Sequence, residues 1–339
     1  MKTAASNTVL LLGARGRFGQ AAARAFAHAG WRVLAHMRPG DALPPALAQD
    51  RGIQSLSLDL RDTNALASLA QGATVVVHAL NPIYTNKAWA RQALPMLEFA
   101  IKVSRQLGAT LMLPGNIYNF GAQMPAVLNE DTPQLATTVK GQVRIGMEAH
   151  LRRSGVRGVV IRAGDFFGAG HGTWFDSTVV KNLRNGVVTY PGPRDVPTAW
   201  AYLPDLARAF VAVAERRADL KAFEVFHFAG HSTSAQGWMD VLTPLARAQG
   251  WIKPPQQLKY SPLPWPIIRL GALVNPTWAA LTEMRYLWQS PSALANDKLV
   301  HAIGQEPHTP LNMAAEKALL DLGLCADVTP MRGVAAQIR

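Results

Sequence analysis

Cysteine is almost absent: Cys325 is the single one in 339 residues. No intrachain disulfide can form, so folding has to rest on a buried core, and a reducing compartment, the cytosol, is the default expectation. Acid is scarce as well. Twenty-two Asp and Glu against 34 Lys and Arg leave a net charge of +12. Such an excess accompanies nucleic acid or anionic membranes. Here, however, the basic residues are scattered rather than interleaved with aromatics, and no zinc-finger, basic-zipper or RNA-binding signature occurs. Nucleic acid is therefore not expected as a partner, and an anionic cofactor or substrate accounts for part of the charge. No run of eighteen apolar residues occurs, so no membrane-spanning helix is expected. The opening residues Met1 to Asn7 lack the apolar core of a secretory signal. There is no internal repeat and no low-complexity tract. Metal-ligand spacing is missing too: His227 and His231 fall on a strand running into a loop, where a separation of four does not converge on one ion. Ser154 and Ser177 lack the strand–turn–helix setting of a nucleophile elbow.

What is present begins at residue 8. The apolar run Thr8 to Leu12 leads into Gly13-Ala14-Arg15-Gly16-Arg17-Phe18-Gly19, which reads as a strand, a glycine turn and the start of a helix. Unpaired backbone N–H groups and the helix dipole make that junction a site for a phosphate. The GxxGxxG spacing is a variant of the dinucleotide fingerprint. Phe18, Ala22 and Phe26 recur on one helical face, and Gly30 stops the helix. The second strand, Trp31 to Arg38, contains no acid to accept from a ribose 2′-OH. Instead Arg38 stands at its tip, with Arg15 and Arg17 in the nearby turn. A guanidinium suits a phosphate, so NADP(H) is expected over NAD(H).

Strands and helices then alternate. Strands are expected at 56–60, 74–80, 109–113 and 158–162, with helices at 64–71, 89–107 and 141–154. A further helix follows at 205–217, where Asp205 reads as an N-cap, and a last sheet strand at 223–228. This rhythm predicts an α/β fold, a Rossmann-type doubly wound parallel sheet with a smaller, mostly helical C-terminal substrate domain. The dinucleotide-binding domain is assigned to 1–165, completed by about 200–230, and the substrate region to 166–199 and 231–339. Ligands in such sheets bind at the carboxyl ends of the strands, near the switch in strand order. The stretch 261–281, rich in Pro and Trp with Arg269 as its one charge, reads as an apolar pocket wall or dimer contact. Its alternative is a lipid-facing segment of a peripheral membrane protein.

Together these residues resemble the short-chain dehydrogenase/reductase superfamily in its extended, epimerase/dehydratase-like form. The resemblance covers about residues 8 to 230. It implies that the glycine turn Gly13, Gly16, Gly19 holds the pyrophosphate and that Asp59 and Leu60 contact adenine. Ala79, Leu80 and Asn81 then pass the nicotinamide ribose. Ile161 to Gly168 is similar to the family's Leu-Arg-Pro-Gly-x-x-x-Gly segment, and Trp200 to Ala207 to its Val-x-Asp-Val-Ala helix start. The family's catalytic tyrosine, four residues before a lysine, has no counterpart. Counting back from Arg162 puts Lys140 in the tyrosine place and Arg144 in the lysine place; a shifted register keeps Lys140 as the lysine and puts Ala136 in the tyrosine place, and Pro114 stands where a serine is expected. The candidate substitutes for catalysis are Lys140, Tyr118 and Asn116, with Tyr84 beside them. Arg144 could hold the ribose or a phosphate but binds its proton too tightly to donate it, and Lys140 also counts among the cofactor residues. Two readings follow: an NADP-dependent oxidoreductase or epimerase-like enzyme with a non-standard acid/base site, or an inactive NADP(H)-binding redox sensor. Trp174, Phe166, Phe167 and Trp200 point to an apolar or aromatic small-molecule substrate, and a homodimer is the family's expectation.

Overall fold

A computed structural model of the chain describes residues 7–325. Seven parallel strands form the central sheet: β1 (Thr8–Leu12), β2 (Arg32–Met37), β3 (Ile53–Ser57), β4 (Ala73–His78), β5 (Thr110–Asn116), β6 (Gly158–Ala163) and β7 (Phe223–His227). Their order across the sheet is β7-β6-β5-β4-β1-β2-β3. This is the doubly wound arrangement, and the order reverses between β1 and β4.

The sheet is buried on both faces, and side chains alternate between two cores. Val9 and Leu11 of β1 join α1 (Arg17–His28) and α5 (Leu203–Glu215) on one face. Leu10 and Leu12 join α2 (Thr63–Leu69), α3 (Asn86–Leu107) and α4 (Val139–Arg153) on the other. Helix starts follow their caps. Thr85 accepts from the Ala88 amide and Thr138 from the Gly141 amide. Each helix therefore begins two or three residues before the position read from its apolar pattern.

Two expectations are corrected. The third strand is Ile53–Ser57, not 56–60, because its register follows β2, with Val33 opposite Ile53 and Met37 opposite Ser57. Asp59 and Leu60 then lie in the turn that follows. Asp205 is not an N-cap: Tyr202 holds that place. Asp205 is buried in the first turn and accepts from the Thr309 hydroxyl and from Arg208.

Beyond the sheet, strands 165–167, 198–202 and 231–233 form a small mixed sheet. Around it pack α6 (Ala235–Ala248), α7 (Trp265–Gly271), α8 (Pro276–Glu283) and α9 (Leu311–Asp321). Phe167, Trp200 and Trp238 stack edge to face in this third core. Phe167 and Trp200 are thus interior packing residues and do not line the cavity described next.

Candidate active site

A cavity of about 490 Å³ opens at the carboxyl ends of β1, β4, β5 and β6. Its floor at one end is the glycine turn. Gly13 has φ +93°, and a Cβ there would lie 2.7 Å from the Ala79 carbonyl; at Gly19 it would lie 2.2 Å from the Gly13 oxygen. Only glycine permits this approach of turn, β4 and α1. Gly16 caps α1 without a side-chain bond, and Gly16, Arg17 and Phe18 face the cavity. The first-turn amides of α1 have no side-chain acceptor there.

The sequence candidates separate into two sets. Gly16, Arg17, Phe18, Ala79, Leu80, Asn81, Asn116, Tyr118 and Arg144 all line the cavity. Gly13 and Gly19 pack beneath it. Arg15 is outside, paired with Asp41, a carboxylate three residues past the strand tip at which the sequence reading stopped. Arg38 is exposed near the same turn, where the Asp41 amide donates to its carbonyl. Asp59 is held by Arg61, whose guanidinium bonds both carboxylate oxygens at 3.0 Å. That pairing holds its carboxyl down at about 2. Leu60 follows it, half-buried beside the second core. The Arg17 guanidinium donates to the His171 carbonyl at 2.7 Å and packs on Gly172, tying the 168–176 loop to the glycine turn.

Lys140 does not reach the cavity. It is fully buried, its Nζ donates to Asn86 Oδ1 at 2.7 Å and sits 4.2 Å from the Tyr84 ring centroid. Asn86 in turn donates to Glu283, which also accepts the Val139 amide. Burial lowers the ammonium to about 8, against the pull of Glu283. Four residues on, Arg144 enters the cavity wall, as an i, i+4 neighbour should. Its guanidinium is buried, donates to the Pro114 carbonyl at 3.1 Å and lies over Trp89, and its Nε has no partner. Glu148, one further turn along, forms a buried ion pair with Arg162 at 2.6 Å.

Two titratable groups of the cavity escaped the sequence reading as site candidates. Asp165 lies in the cavity just past β6, accepting from the Trp288 indole at 2.6 Å. Burial raises its carboxyl to about 6 despite that bond. His78 reads from sequence as a core residue; it is buried, but it lines the cavity and neither ring nitrogen has a partner. Burial, reinforced by the Arg144 charge, lowers it to about 4. Tyr84 Oη is also without a partner. Burial raises the phenols of Tyr84 and Tyr118 above their ordinary value. Buried polar atoms left unbonded are costly. Their convergence on one cavity beside a glycine cradle fits an elongated polar ligand with anionic groups, as a nicotinamide dinucleotide is. Trp174, edge-on to Tyr84 and Trp288, and Phe166 give the cavity an aromatic side. Among the described residues no group of three or more His, Cys, Asp or Glu is placed to hold a metal, and no helix is long and apolar enough to cross a membrane.

No curated protein matches the chain. Solved structures do. A protein from Burkholderia cenocepacia J2315 superposes with a TM-score of 0.72 at 19% identity, covering 93% of this chain and 97% of that one. A nucleoside-diphosphate-sugar epimerase from Pseudomonas aeruginosa gives 0.70 at 16%, covering 93% and 97%. The Bordetella bronchiseptica enzyme WbmH, solved with NAD+, gives 0.69 at 16%, covering 93% and 98%. At these identities the likeness is one of fold. The model of the RmlD substrate binding domain family matches residues 7–259, well over half of the chain. The chain therefore belongs to that family, within the extended short-chain dehydrogenase/reductase superfamily, where the sequence resemblance had put it.

Proposed function

We propose that the chain is an NADP(H)-dependent enzyme of oxidoreductase or epimerase type, working on a small molecule with an acid/base site unlike the usual Tyr-x-x-x-Lys. The observation that carries this reading is the carboxyl of Asp165, raised to about 6, in one cavity with the glycine turn and the half-buried Arg144. The amides at Gly16, Arg17 and Phe18 would hold the pyrophosphate. Arg38, with Arg15 beyond it, would meet a 2′-phosphate, although Asp41 competes for Arg15. A nicotinamide ring bound there would supply or accept a hydride.

The remaining chemistry belongs to the protein. Protonated Asp165 can pass its proton to an oxygen placed in the cavity, because its ordinary acidity has been moved towards neutrality. Arg144 can bond and polarise that oxygen through its unpaired Nε, and Asn116 and Tyr118 can orient it. Trp174 and Phe166 favour an apolar or aromatic substrate face. The sugar nucleotides of the structural relatives are the competing class. Lys140, walled off behind Tyr84, would act by fixing that ring.

Titration with NADPH and NADH, followed by turnover assays on aldehydes, ketones, enones and nucleotide sugars, tests the reading. Tighter NADPH binding and turnover of one class are expected. Tighter NADH binding defeats the cofactor assignment. The seclusion of Lys140 from the cavity favours a second reading, a redox sensor. Micromolar binding with strict inertness across the panel would select it.

A further inference from the structure

The hairpin formed by α7 and α8 ends in largely exposed aliphatic side chains. Leu273 is 81% exposed, Val274 87%, Leu270 72% and Ile267 62%. Ile267 and Leu270 lie three apart on one face of α7, and Leu273 and Val274 follow in the turn after it. The hairpin is rigid beneath its tip: Trp278 lies across Gly271, where a Cβ would meet its ring at 2.2 Å, and Trp265 and Ile268 are buried in a cluster with Leu281, Met284 and Trp288. Its charge is one-sided. Arg269 is exposed within α7, and Arg285 stands close enough for the two charges to act on each other. The one nearby acid, Glu283, is occupied by Asn86 and the Val139 amide. The hairpin also borders the cavity, since Thr277 at the start of α8 is part of its lining.

We infer that this tip docks on an anionic lipid surface, with the cavity mouth turned towards it. Two features favour lipid over a second copy of the chain. Four aliphatic side chains fall short of the roughly 800 Å² that each partner buries in a stable dimer. A two-fold contact through the tip would also bring Arg269 and Arg285 of both copies together, which costs binding. A lipid layer needs no such area. A shallow apolar insertion combined with basic side chains at headgroup level is the two-signal arrangement that holds peripheral proteins, and the net charge of +12 adds long-range attraction. Docking does not depend on the proposed chemistry of the cavity.

Flotation of the full chain with vesicles of phosphatidylcholine alone, or with phosphatidylglycerol added, tests the inference. Binding at least tenfold stronger to the anionic vesicles is expected, with a blue shift of tryptophan fluorescence from Trp278. The double variant Leu273→Asp, Val274→Asp should lose at least tenfold, and Arg269→Glu several-fold, with melting temperatures little changed because these side chains are largely exposed. Failure to float on either vesicle overturns docking, and so does equal flotation of the double variant. A dimer in solution that the double variant dissociates assigns the tip to a second copy instead.

Discussion

Asp165 keeps company that few surface carboxylates have: an indole donor, an aromatic wall and no counter-charge at bonding distance. If it is the acid, reduction should slow as pH rises through about 6, where the carboxyl loses its proton. Asp165→Asn should cost roughly 10²–10⁴ in kcat and abolish that limb of the pH profile, while dinucleotide affinity stays near its original value. An unchanged profile in the variant would exclude the role. At the turn, Gly13→Ala puts a methyl group against the Ala79 carbonyl at a positive φ. It should destabilise the fold by about 1–3 kcal/mol and weaken dinucleotide binding, read by denaturant melts and calorimetry. The glycine turn was legible because its spacing follows from backbone geometry alone. Asp165 stood in plain view within Ile161 to Gly168, but an acid in a loop becomes informative only when its surroundings are known. Those surroundings, Trp288 above all, arrive from more than a hundred residues away.

Helix α4 shows how far periodicity reaches. Lys140, Arg144 and Glu148 repeat every four residues, so a shared face could be read from the sequence. What each one meets could not. Lys140 is claimed by Asn86, Arg144 by the Pro114 carbonyl, and Glu148 by Arg162, partners supplied by three separate elements. The last pair is buried on both sides. Glu148→Ala leaves a guanidinium without its counter-charge and should cost about 3–5 kcal/mol in denaturant melts. Loss of the cap in Thr138→Ala should cost about 1 kcal/mol. The boundary of β3 was misread for a similar reason: its register is dictated by β2, a neighbour in space, whereas Leu58 and Leu60 made the later window look equally apolar.

Across the molecule, burial leaves several imidazoles neutral. His78, His227 and His231 are each lowered to about 4. His227 accepts from the Arg162 guanidinium, so its other nitrogen is free to donate to the Leu128 carbonyl. In the unfolded chain these rings take up protons near pH 6.5. Acidification from about 6.5 to 4 therefore favours unfolding. Asp165 acts in the opposite sense, because its raised value binds the proton earlier in the folded state. His36 is lowered by burial as well, and four rings against one carboxyl leave a net loss of stability, on the order of 3 kcal/mol from His78 alone. Melting temperatures at pH 7 and 4.5 should show it, and His78→Phe should shrink the difference. The doubly wound sheet was readable from alternation alone; the small mixed sheet was not, because three-residue strands carry too little pattern to register.

One consequence follows from how the late part of the chain is fastened. Glu283 grips Asn86 and the start of α4, Thr309 is bonded to Asp205, and Glu306 accepts the amides of Ala229 and Gly230. These rivets, with Lys298 bonded to the Val225 carbonyl, fasten the carboxyl-terminal lobe to the sheet domain, so a wide separation of the lobes has to break several bonds at once. The 168–176 loop, tied to the glycine turn by Arg17, borders the cavity mouth, and its local breathing would widen access. A covalent crosslink placed between 86 and 283 should therefore leave ligand entry as fast as before, whereas Arg17→Ala should quicken both arrival and escape.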